Sequence, residues 1–192
     1  MELVEVCEDG VHSGAVRGTQ SQRLSGSWTV ADVARRLTNL ERSGEMGRHP
    51  WFYFVNYEPD VNAALQRLRQ QEFRAGRYNP AIWFPEFPVG PQSPSPGAQH
   101  RSIAAALTAA GESGTRSILD MERVVAAPSY RAVAPLAGDD LQRLFGTDRP
   151  TRDLVSNSDE LFEALERGQG VYIIVYKDNQ PGEIFFAGYS FD

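Results

Sequence analysis

Hydrophobic positions recur along this chain with two periods, and the switching between them predicts its elements. Leu3, Val4 and Val6 sit in a short β-prone alternation over residues 2–7, followed by a polar, Gly/Ser-rich stretch over 8–27 with no period. Val30, Val33, Ala34, Leu37 and Leu40 then fall on one face of a helix. Thr29 offers that helix an N-cap oxygen, and Gly44 lies just past its end. The run Trp51-Phe52-Tyr53-Phe54-Val55 is strongly β-prone with aromatics on both faces, which predicts a central strand.

Glu58-Pro59-Asp60 opens the next helix, with proline suited to a first turn and acidic groups to the positive end of the helix dipole. Val61, Ala64, Leu65 and Leu68 form its buried stripe, extended at an angle by Phe73, and Gly76 closes it. Arg67, Arg69, Glu72 and Arg74 are left for its other faces. Ser102 caps a helix with the stripe Ile103, Ala106, Leu107 and Ala110, ended by Gly111. Leu119, Met121 and Val125 alternate like a strand, and Ile118, Met121 and Val125 also fit a helical stripe; of the two, 117–125 is read as a strand. Asp139 caps a short helix carrying Leu141, Leu144 and Phe145, stopped by Gly146, and Ser158 caps another with Leu161, Phe162 and Leu165 inward, ended by Gly168. Val171 to Tyr176 and Ile184 to Tyr189 are two strands joined through Asp178-Asn179-Gln180-Pro181-Gly182, a hairpin with a turn of four to six residues. Both are apolar on both faces, which calls for cover on each side of the sheet.

The pattern predicts an α+β fold. A mixed or mainly antiparallel sheet is built from 51–57, 117–125, 171–177 and 183–190, with helices packed against it and a C-terminal β-hairpin.

One segment fits no period. Residues 79–99 hold six prolines around Trp83, Phe84 and Phe87, a spacing that excludes a regular helix or a central strand. A loop of this length inside a compact domain is usually functional or disordered. Gly90 to Gly97 has the composition of a flexible surface loop.

Composition sharpens the picture in three ways. At 192 residues, 41% hydrophobic and 23% charged, the chain is sized and balanced for one folded domain over 1–192, with 8–27 and 88–99 irregular or flexible. A net charge of −6 argues against nucleic-acid and anionic-membrane partners, which need clustered cations. Lys177 is the only lysine, a usage that fits the codon bias of a GC-rich, bacterial genome. A single cysteine, Cys7, makes no internal disulfide, and the longest apolar runs are strand-sized. These features predict a cytoplasmic protein.

Candidate chemistry is sparse. His12, His49 and His100 are scattered, with no ligand spacing to Cys or to each other, so no metal is predicted, and the absence of phosphate-cradle motifs leaves no cofactor to assign. Asp120 and Glu122 would point to one face of a strand, where two acids can share a proton. His100 and Arg101 stand at a helix start, the first suited to proton transfer and the second to anion binding. Tyr78, Trp83, Phe84 and Phe87 concentrate apolar surface in the proline-rich loop, and aromatic anchors of this kind make binding hot spots. The favoured expectation is a protein-binding module of immunity or accessory type, working through this Pro/aromatic loop. The alternative is a small enzyme with a site near His100, Arg101 and Asp120 or Glu122.

Overall fold

A computed structural model describes residues 49–82, 89–158 and 160–191. The strand expected at 2–7, the helix carrying Val30 to Leu40, and Cys7, Trp83, Phe84 and Phe87 lie outside those residues.

The fold is α+β, a five-stranded mixed sheet with helices on both faces. In chain order the elements are strand β1 (Pro50–Asn56), helix α1 (Val61–Ala75), helix α2 (Ile103–Ala110), strands β2 (Arg123–Val124) and β3 (Ala132–Pro135), helices α3 (Gly138–Phe145), α4 (Arg152–Ser156) and α5 (Glu160–Glu163), and strands β4 (Gln169–Lys177) and β5 (Gln180–Tyr189). The strand order is β1-β5-β4-β3-β2. The β4–β5 and β1–β5 pairs are antiparallel, whereas β2–β3 and β3–β4 are parallel. Helices α3, α4 and α5 form the crossover that a parallel β3–β4 pair requires.

The hairpin strands are buried on both faces, as their composition demands. Ile184 and Phe186 face one cluster, with Trp51, Tyr53, Leu65, Leu68, Ile118 and Met121. Val171, Ile173, Val175, Phe185 and Tyr189 face the other, with Phe52, Val155, Leu161 and Phe162. Each large apolar side chain so enclosed contributes about 1.5–3 kcal/mol, and two such layers are what make the sheet the organising element. Trp51 lies flat across a pair of glycines, because a Cβ on Gly188 would meet its Cζ2 at 2.4 Å and one on Gly170 its Cη2 at 2.9 Å.

Among the described residues β1 is the outermost strand and not a central one. Its aromatics alternate between the two clusters as expected, and among the described residues its outer edge carries an isolated parallel bridge from Trp51 to Val89. The opposite edge, β2, is blunted by α1: the Val124 amide donates to Asn62 Oδ1 and Gln66 Nε2 donates to the Glu122 carbonyl.

Residues 117–125 differ from the strand expected there. Ser117 takes the Leu119 amide on its hydroxyl, and Ile118–Asp120 form a 3-10 turn before the two-residue β2. Ile118, Leu119, Asp120 and Met121 are all fully buried, so the apolar pattern could not single out one face. The hairpin turn is also tighter than expected: only Asp178 and Asn179 separate the strands, with Pro181 and Gly182 inside β5. Ser102 and Gly76 cap as expected. Asp60 is the N-cap of α1, leaving Pro59 just outside it, and Ala137 precedes α3, so Asp139 sits in the first turn and not at the cap.

Candidate protein-binding surface

Of the residues singled out by sequence, Tyr78 is the most changed by the fold. It is fully buried, stacked on Phe73 at 5.7 Å, and so belongs to the core and offers no ring to a partner. Its hydroxyl stands 3.0 Å from His100 Nδ1 and accepts the Gln99 amide at 3.1 Å. Arg101, next to His100, is exposed.

Asp120 is fully buried. Its Oδ1 accepts from the Thr115 amide at 2.7 Å and from the Thr115 hydroxyl at 2.8 Å, and its Oδ2 accepts from the Ser190 hydroxyl at 3.0 Å. Burial pushes the carboxyl above its ordinary range, against the opposing pull of those donors and of Arg131. Glu122 turns outward to Arg131 Nη2 at 2.8 Å. Asp120 and Glu122 therefore do not form a carboxylate pair on one strand face. Hydrogen bonds and ion pairs of His100, Asp120 and Glu122 go to separate partners, and no group of three or more His, Cys, Asp or Glu residues is placed to hold a metal among the described residues.

A cleft of about 640 Å³ opens beside the hairpin turn, lined by Asn56, Arg152, Tyr176, Lys177 and Glu183 among others. Its Arg152 is engaged within the protein, 4.0 Å above the Phe54 ring and paired with Glu183.

Glu72 is the charged residue that the helix reading misplaced. It lies on the core stripe and is fully buried, not on an outer face of α1. The signal was present, since Leu65, Leu68 and Glu72 fall at i, i+3 and i+7. A carboxylate there needs a partner, and Arg77, just past the helix, supplies one with two parallel bonds: Nη2 to Oε1 at 2.6 Å and Nε to Oε2 at 2.7 Å. The bond to Glu72 raises the Arg77 pKa further above its already high value. Burial and the Glu72 charge together push the neighbouring Tyr53 hydroxyl well above its ordinary range.

The third arm of Arg77 reaches the proline-rich loop. Nη1 donates to the Ser95 hydroxyl at 2.8 Å. On one side of Ser95, a turn is closed by Ser93 N to Gly90 O at 3.0 Å and by Gly90 N to Ser93 Oγ at 3.1 Å. On the other side, Gly97 N donates to Ala75 O at 2.9 Å and Ala98 N to Arg74 O at 3.1 Å, laying the chain over the last turn of α1. The segment 90–97 is thus pinned at several points despite its flexible composition. Pro91, Pro94 and Pro96 are nevertheless all exposed.

No family model, curated protein or solved structure matches this chain. Its function is therefore read from its own geometry. No helix among the described residues is long and apolar enough to cross a membrane.

Proposed function

We propose that the chain is a cytoplasmic protein-binding module, of immunity or accessory type, that offers the pinned proline segment 91–96 to a partner protein. The observation that carries this reading is the bond from Arg77 to Ser95. A buried ion pair is costly to desolvate, and it adds little to stability compared with well-packed apolar residues. Here that pair directs its remaining donor onto a surface segment with three exposed prolines. A segment ordered before binding loses less entropy on binding, which raises affinity without new contacts. The prolines deepen the effect by fixing φ at each of their positions.

The test compares the full chain with P91A/P94A/P96A, both tagged, in capture from native lysate. A partner held by the first and lost by the second, with the two melting alike, supports the reading. A partner retained equally by both variants, or no partner at all, sinks it.

A further inference from the structure

Resting on that reading, we infer that the partner presents an aromatic-lined groove of the kind that recognises extended polyproline chain, bordered by carboxylates. The backbone over Ser93-Pro94-Ser95-Pro96 dictates the first part. Pro94 and Pro96 have φ fixed by their rings, and Ser93 and Ser95, each preceding a proline, are driven out of the α region into extended or polyproline II backbone. The two prolines therefore hold φ near the polyproline II value and the two serines favour extended backbone, and residues 94–99 make no regular secondary structure of their own. The Ser95 hydroxyl accepts from Arg77, and Pro94, Ser95 and Pro96 are all exposed. Flat aromatic surfaces are the complement of such rings, and a preformed polyproline II chain is what those grooves exploit.

Charge supplies the second part. The segment is laid across Arg74, whose carbonyl holds the Ala98 amide and whose side chain is exposed. Arg74 lines a shallow depression on the outer face of α1 together with Arg67, Gln66, Gln70 and Gln71. Arg67 is paired with Glu58, so Arg74 is the cation that this depression sets beside the proline segment, and on a chain of net charge −6 it complements a carboxylate at the rim of the partner's groove.

The experiment takes the partner captured by the full chain and adds free deca-proline peptide. Release of the partner by the peptide, together with capture weakened about tenfold by R74E, is the expected result. A partner lost by P91A/P94A/P96A but not released by deca-proline overturns the polyproline-reading groove and leaves the binding role standing. Capture unaffected by R74E overturns the carboxylate border. Capture unaffected by the triple proline variant, or absent altogether, overturns the binding role and this inference with it.

Discussion

Gly76 and Gly97 cross so closely that a Cβ on Gly76 would lie 2.1 Å from the Gly97 carbonyl oxygen. Gly76 also ends α1 in left-handed backbone at φ 74°. Two constraints therefore meet at one position, and only one of them acts at Gly97, where φ is 86° and the space beside a Cβ is open. G97A is expected to cost about 1–2 kcal/mol, the strain of a left-handed alanine. G76A is expected to cost clearly more, because the proline segment must also shift off the helix. Urea denaturation of both variants checks this, and equal losses would mean that the crossing is not tight.

The Glu72–Arg77 pair yields a sharper expectation. Removing one partner strands a buried charge, so E72A and R77A should each lose about 3–5 kcal/mol. Replacing both with apolar groups of similar volume removes the stranded charge, and E72M/R77M should recover most of that loss. A double-mutant cycle in urea reads the coupling directly. Additive losses would show that the two residues act independently.

Asp120 predicts a pH dependence opposite to that of an ordinary salt-bridged acid. Its folded-state pKa is raised, chiefly by burial. The folded protein therefore holds this proton where the unfolded chain has released it, and stability falls as pH rises from about 4, the unfolded carboxyl value, through the folded value. In D120N the amide oxygen can still accept from Thr115 and the amide nitrogen can donate to Ser190. That variant should lack this part of the pH slope. Unfolding free energies of both proteins from pH 4 to pH 8 test it, and parallel curves would show that Asp120 does not titrate across this range.

What the sequence revealed, and what it did not, follows from where the information sits. Elements with a clean period and local caps, such as α1 between Asp60 and Gly76, were legible, as were the hairpin strands with their two apolar faces. β1 was legible as a strand but its place at the end of the described sheet was not, because strand order depends on long-range pairing that no local pattern encodes. Residues 118–121, buried on every side, fit a strand and a helical period alike, so the pattern could not choose the 3-10 turn. At the candidate surface, the prolines were visible but their anchoring was not. It depends on one arginine meeting Ser95 eighteen residues further on, and on Glu72 being counted as a core position despite its charge. Composition alone therefore showed a segment without regular structure but not the bonds that hold it to α1.

The hairpin turn provides the last prediction. Asp178 and Asn179 both adopt left-handed backbone, at φ 52° and 61°, and join β4 to β5 with no other residue between them. Positive φ at both central positions is the signature of a type I′ turn, whose twist matches that of the flanking strands and which favours glycine second. N179G relieves the strain of a left-handed side chain and should stabilise the protein by up to about 1 kcal/mol, whereas N179V should destabilise it by at least as much, since a β-branched side chain fits this backbone worst. The Pro181-Gly182 pair tests the alternative of a longer turn centred there. With Gln180 and Pro181 already paired to Lys177 and Tyr176, N179G acts on the turn itself. If instead the loop ran to Gly182, exchanging Asn179 for glycine or valine would change the melting temperature little.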